Sequence, residues 1–302
     1  MPSSLLAIDG PMTASIEKEL RPQLIETSRG VVEAATWGEG PALLSLHGAM
    51  GGYDQGILLA QTVTYPRFRY VAISRPGYLR TALRVGRTPL EQADCCAEVL
   101  EHFGVESAGV IAISGGGPAA LQFALRHPER CRGLVMISAC SDTLDVPIPF
   151  RFQIMRILAR IPGAMNAMRK KIEKEPEKAA IRSIPDDALR MRVLQDPEIS
   201  ELFFALQLSV LDRMTLRLPG TENDIRQTRA EMGYPLERIS VPTLVVHGTR
   251  DSAVPFAQSE ALALRVPGAE MLAIEGGEHV SIYTHRSQVR AAIDHFLSRR
   301  AG

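Results

Sequence analysis

The chain has 302 residues and a mass of 33.0 kDa, and its 34 Lys and Arg residues are matched by 34 Asp and Glu residues. A chain of this length buries a large core and suits one α/β domain carrying an insertion, or two small domains. The balance leaves no electrostatic footprint for nucleic acid or an anionic membrane, so the expected partner is a small neutral or weakly charged molecule, with a homodimer admissible.

Residues 1–12 have neither a basic start nor a sustained apolar run, so no secretory leader is expected and a cytoplasmic protein is. Residues 1–22 carry no clear period and are expected to form a surface arm. Strands are then predicted over 24–27 and 31–36, joined as an antiparallel hairpin at Arg29-Gly30, and over 42–46, 70–74, 109–113, 133–138, 243–246 and 270–274. Helical patterns fall between them at 54–64, 89–103, 118–126, 256–265 and 287–299. Strands alternating with helices give an α/β fold, with a mostly parallel sheet covered on both faces. The alternation fails over 141–239, where helical segments are punctuated by Pro162-Gly163, Pro185, Pro197 and Pro219-Gly220. This predicts an all-helical insertion between core segments 23–140 and 240–302. The apolar run 109–125 is broken by Gly115-Gly116-Gly117-Pro118 into strand, turn and helix, so nothing spans a bilayer. Cys95, Cys96, Cys131 and Cys140 lack metal-ligand spacing and read as reduced, partly buried thiols; no metal and no cofactor are expected.

Chemistry points to the ends of three strands. Ser114 stands where a β-branched strand meets an Ala-rich helix, with small residues Ala112 and Gly116 two places to either side, as a strained turn exposing a hydroxyl requires. A serine there also serves as an ordinary helix cap. A hydroxyl is a poor nucleophile unless a histidine takes its proton and a carboxylate fixes that histidine's tautomer. The strand over 243–246 leads into Asp251, and that over 270–274 leads into His279. In a parallel sheet these ends open on one edge, with Ser114. Asp142 is the alternative carboxylate, and His285 lies near His279 but belongs to the last helix. His247 reads as structural, and His102, His127 and His295 as solvated. The Gly115 amide and one from the loop His47-Gly48-Ala49-Met50-Gly51-Gly52 would hold an oxyanion. Ala49 is the expected second donor, Met50 the alternative, and His47 a brace for the loop.

With these pieces in order the chain resembles the α/β-hydrolase superfamily, specifically its cap-bearing branch of serine hydrolases and esterases, from about Gln23 to the C-terminus. The chain order Ser114, Asp251, His279, the His47-Gly48-Ala49 oxyanion loop and an insertion after the sixth strand all match. The resemblance implies an eight-stranded sheet with a helical cap over 141–239 and a Ser-His-Asp triad. The chain departs from the family where Ala112-Ile113 replaces Gly-His before the serine. It departs again in Ser74-Arg75-Pro76-Gly77-Tyr78-Leu79-Arg80-Thr81, which loses the family's aspartate. A serine nucleophile argues against dehalogenase and epoxide-hydrolase members, and Gly115 weakens a haloperoxidase reading.

The insertion would exclude water and shape the pocket. Phe150, Met155, Phe203 and Phe204 are the candidate substrate contacts, although most apolar residues there should pack helices together. The basic run from Arg151 to Lys171 reads as a solvated face neutralised by Glu173, Glu175 and Glu177. The expected activity is hydrolysis of a small carboxylic ester or lactone with an apolar part, through an acyl-enzyme. The same triad would also serve a carbon–carbon bond hydrolase or an amidase or aminopeptidase. From a different class, a slow-turnover ligand-sensing receptor fits the same residues.

Overall fold

Short runs of Val, Ile, Leu and Ala set the sheet, because residues of this kind tolerate burial on both faces. In the computed structural model, residues 20–144, 150–230 and 233–299 are described, so the expected N-terminal arm lies almost wholly outside the described residues. Eight strands form one sheet: β1 (Gln23–Thr27), β2 (Gly30–Trp37), β3 (Ala42–Leu46), β4 (Arg69–Ile73), β5 (Ala108–Ile113), β6 (Cys131–Ile137), β7 (Thr243–Gly248) and β8 (Glu270–Ile274). Their order is β1-β2-β4-β3-β5-β6-β7-β8, with β1–β2 and β2–β4 antiparallel and the other pairs parallel. All five residues of β3 and all six of β7 are buried.

Alternate residues feed two cores. Leu44 and Leu46 join Val99 of helix α2 (Pro89–His102) and Phe123 of α3 (Gly117–Arg126) on one face. Leu43 joins Ile57 of α1 (Tyr53–Val63) and Val289 and Phe296 of the C-terminal helix Arg286–Ser298 on the other. Helix α2 starts where Thr88 and Glu91 cap each other reciprocally ahead of Pro89, which satisfies two amide hydrogens that would otherwise lack partners.

Between β6 and β7 the described residues form helices only: α4 (Phe150–Leu158), α5 (Ala164–Lys174), α6 (Pro176–Ile181), α7 (Asp187–Gln195), α8 (Pro197–Leu211) and α9 (Leu218–Arg229). Asp186 and Asp196 cap α7 and α8 through the amides of Leu189 and Ile199. Pro219-Gly220 reads in the sequence as a break, yet both residues lie in the first turn of α9, where proline's missing amide hydrogen costs nothing. Gly220 is required for contact rather than for a turn: a Cβ there would stand 2.3 Å from the Tyr78 ring. After β7 come α10 (Phe256–Arg265), then β8, α11 (Ser281–Thr284) and α12 (Arg286–Ser298).

Among the ion pairs that fasten the insertion to the core, two have opposite polarity and a buried guanidinium. Arg75, after β4, forks onto Asp224 of α9, and Asp54 of α1 pairs with Arg217 just before α9. Both guanidiniums are buried, so each depends on its carboxylate to offset lost hydration. Backbone bonds from Gly220 N–H to Gly77 O (2.8 Å) and from Leu79 N–H to Leu216 O (2.8 Å) join the same segments.

Candidate active site

Ser114 follows β5 directly and has a left-handed backbone, φ +51°, which costs a non-glycine residue on the order of 1–3 kcal/mol. Neighbouring glycines make room for this turn. A Cβ on Gly116 would meet Leu46 O at 2.6 Å and His47 O at 2.8 Å, backbone atoms that cannot step aside. Cys140 N–H donates to Ser114 O (3.0 Å), tying the turn to the segment after β6.

Asp251 lies in the loop after β7 with its carboxylate buried. Its Oδ1 accepts the amides of Ala253 (2.8 Å) and Val254 (3.0 Å), while Oδ2 accepts His279 Nδ1–H (2.7 Å) and faces His247 Nε2 at 3.1 Å. Burial alone would favour the neutral acid, but the hydrogen bonds from His247, His279 and Val254 N–H outweigh it and hold the carboxyl below the usual carboxylate range. The loops after β7 and β8 are interlocked by Arg250 N–H to Gly277 O (2.9 Å). Because His279 gives its Nδ1 proton to Asp251, its Nε2 is left as an acceptor, on a side chain 28% exposed. The Ser114 hydroxyl makes no hydrogen bond among the described residues, so the expected contact between Ser114 Oγ and His279 Nε2 is not made in this structure.

Asp142 does not compete: its exposed carboxylate caps only Thr143 N–H. His247 is structural, its single Nε2–H shared between Val254 O (3.0 Å) and Asp251 Oδ2 (3.1 Å) and its Nδ1 paired with Ser259 Oγ (2.5 Å). His285 sits at the start of α12, bonded to Thr284.

The loop expected to hold an oxyanion follows β3. The Ala49 and Gly115 amide hydrogens have no acceptor among the described residues, and Ala49 N lies 3.4 Å from where a Cβ on Gly115 would be. Met50, the alternative donor, is engaged elsewhere, its N–H donating to Thr221 Oγ1 (3.0 Å). His47 is buried and holds the loop: its Nδ1–H donates to Gly48 O (2.7 Å) and its Nε2 accepts Arg75 N–H (3.0 Å). Burial, reinforced by the nearby Arg75 charge, depresses its pKa well below the ordinary histidine value, so it stays neutral.

The family described as alpha/beta hydrolase fold matches residues 41–182, and one described as a TAP-like protein matches residues 221–300. A solved alpha/beta hydrolase fold protein from Nakamurella multipartita superposes with a TM-score of 0.81 at 31% identity, over 93% of this chain and 100% of that one. The chain belongs to the α/β-hydrolase superfamily. Relatives of this α/β-hydrolase include the uncharacterized hydrolase YcgS of Bacillus subtilis, 26% identical over 86% of this chain and 92% of its own length. Pimeloyl-[acyl-carrier protein] methyl ester esterase of Aeromonas hydrophila is 26% identical over 88% of this chain and 99% of its own.

Among the clefts at the insertion of this hydrolase, two also reach core residues. One of about 540 Å³ is lined by Tyr53, Phe204, Leu208 and Ser209, and one of about 870 Å³ by Arg192, Glu198 and His285; neither is lined by Ser114 or His279. Of the candidate substrate contacts, Phe204 faces the first cleft and Phe203 is buried against Tyr283 and Phe204. Met155 is half-buried on α4, and the side chain of Phe150 lies outside the described residues. All four cysteines are free and buried, and burial raises every thiol pKa, that of Cys140 to about 12. No helix among the described residues is long and apolar enough to cross a membrane.

Sequence reading missed Arg75, Tyr78, Thr221 and Asp224. The signal for Arg75 was the departure from the family's loop after the fourth strand, where an arginine stands beside a strand end that faces the site.

Proposed function

We propose that this hydrolase cleaves a small carboxylic ester or lactone with an apolar moiety through an acyl-enzyme on Ser114. The observation that carries the reading is the Asp251–His279 pair: a carboxylate held ionised by four donors, taking Nδ1–H and leaving Nε2 to accept the serine proton. Hydrogen bonds between nucleophile and base are often unmade without substrate and tighten in the substrate complex. Ser114 Oγ then attacks the carbonyl carbon as its proton passes to His279 Nε2, and the carbonyl oxygen takes up the charge. The Ala49 and Gly115 amides face that oxygen, and the first turn of the helix beginning at Gly117 adds its dipole. Collapse expels the alcohol, which receives the proton from His279; water, deprotonated by the same imidazole, repeats the sequence and frees the acid. The esterase among the relatives supports the ester class.

Wild type and Ser114→Ala should be assayed on a panel of short-chain aryl esters, lactones and aryl amides. Multiple turnovers on esters or lactones, abolished by the substitution, support the proposal. Turnover unchanged by Ser114→Ala, or a single turnover with no release, refutes it, the latter in favour of a ligand-sensing role.

A further inference from the structure

The loop that carries the Ala49 amide is not held by the core alone. Met50 adopts a left-handed backbone, φ +62°, and is held by the insertion directly on its N–H side and through Gln55 of α1 on its carbonyl side. Its N–H donates to Thr221 Oγ1 (3.0 Å) of α9. Thr221 can accept this bond while its single hydroxyl hydrogen goes to an acceptor of its own, Arg217 O (3.0 Å) or Met50 Sδ (3.3 Å). The Met50 carbonyl accepts from Gln55 Nε2 (3.1 Å), and that amide also donates to Ser209 Oγ (3.0 Å) of α8.

Two and three residues before Met50 the same loop is held by an arginine. Arg75 donates from Nε to His47 O (3.0 Å) and from its guanidinium to Gly48 O (3.4 Å), while the fork grips Asp224 at 2.9 and 2.5 Å. Tyr78 adds its hydroxyl to Asp224 Oδ2 (2.5 Å) and Gln92 accepts from Arg75 (3.1 Å), so the buried charges are fully enclosed by partners. The Gly48 carbonyl and the Ala49 amide belong to one trans peptide plane, in which C=O and N–H point in opposite directions. Drawing Gly48 O toward Arg75 and His47 therefore turns Ala49 N–H the other way, to the side where Gly115 lies. Asp224 also reaches that side: a Cβ on Gly115 would lie 3.1 Å from its Oδ2, so the carboxylate fills space that a side chain after the nucleophile would need.

We infer that Thr221 and Asp224 of the insertion are positioning residues for the oxyanion hole, setting the Ala49 amide through Met50 and through Arg75. The inference rests on the reading of Ser114 as nucleophile. It assigns α9 a fixed catalytic duty, so any opening of the insertion for substrate must leave α9 in place.

Asp224→Asn leaves a buried guanidinium without its counter-charge and threatens folding, so Thr221→Val is the decisive variant, with Thr221→Ser as the conservative control. Four quantities are read on a short-chain aryl ester and its trifluoromethyl ketone analogue. These are kcat, KM, the end-point stoichiometry of fluorophosphonate labelling, and Ki for the ketone, whose serine adduct carries an oxyanion. Loss of one oxyanion donor typically costs about 100- to 1000-fold in rate, and a misdirected donor should cost less. Thr221→Val is expected to lower kcat about 10- to 100-fold and raise Ki by the same factor. KM and labelling stoichiometry should stay near wild type, and Thr221→Ser should restore kcat to within about threefold. Wild-type kcat in Thr221→Val, or a fall in kcat with Ki unchanged, overturns the inference while leaving the nucleophile assignment intact. Undiminished turnover in Ser114→Ala instead overturns that assignment, and the inference with it.

Discussion

Replacing Asp251 by asparagine tests how the carboxylate acts on His279. Two backbone donors, the amides of Ala253 and Val254, hold Oδ1, so the asparagine oxygen takes that side and its NH2 turns toward His279 Nδ1 and His247 Nε2. An NH2 group cannot accept, so His279 must present its Nδ1 lone pair and carry its proton on Nε2, the nitrogen that has to receive the serine proton. The geometry survives but the tautomer is wrong. A tautomer error of this kind costs about 10⁴-fold in kcat, or about 5.5 kcal/mol. Steady-state kinetics on the best ester of the panel would read the loss, alongside a urea melt to show that the variant folds. Asp142→Asn is the control and should stay within about twofold of wild type, because its carboxylate caps only Thr143. A folded Asp251→Asn enzyme within tenfold of wild-type kcat/KM would refute the tautomer reasoning.

Gly116→Ala drives a methyl group into Leu46 O and His47 O and should lower the unfolding free energy by about 3 kcal/mol, seen as an early urea midpoint. An unchanged midpoint would show that the elbow backbone can shift. Asp54→Asn leaves the buried Arg217 charge uncompensated; with Asp54 itself partly exposed, the expected loss is about 2–3 kcal/mol by the same assay. His47 gives a pH signature. Its folded pKa lies well below its unfolded value, so as pH falls below about 6.5 the unfolded chain binds a proton that the folded chain refuses. Its stabilising contribution is thus complete above that pH and is lost as pH falls toward the folded value, with a slope of up to about 1.4 kcal/mol per pH unit. Urea melts between about pH 7.5 and 5.5 should show a shallower slope in His47→Gln, with a remainder from His285, whose pKa burial and Arg192 also lower.

Much of the fold is legible in the chain because strands buried on both faces must be continuous apolar runs, and residues such as Leu43, Leu44 and Leu46 cannot be arranged otherwise. The meeting of Asp251 with His279 is legible for a related reason: each follows such a run, and parallel strands bring their carboxyl ends to one edge, where Ser114 also stands without a bond to His279. Pro219-Gly220 misleads because proline marks a helix start as readily as an end, and the use of Gly220 is visible only beside the Tyr78 ring. Arg75 and Asp224 are 149 positions apart, and nothing local in either segment announces their pairing. Met50 and Ala49 are alike as amide donors in the sequence; the Thr221 hydroxyl separates them, and it arrives from a helix whose docking no periodicity encodes.

In the proposed pathway a covalent acyl group passes through Ser114. Rapid acid quench of the wild-type enzyme turning over an aryl ester, followed by peptide mapping by mass spectrometry, reads that bond directly. An acyl adduct is expected on the peptide containing Ser114, absent from Ser114→Ala and trapped at higher occupancy when slow-deacylating esters are used. Ester hydrolysis with the adduct on another residue, or with none at any quench time, would contradict it.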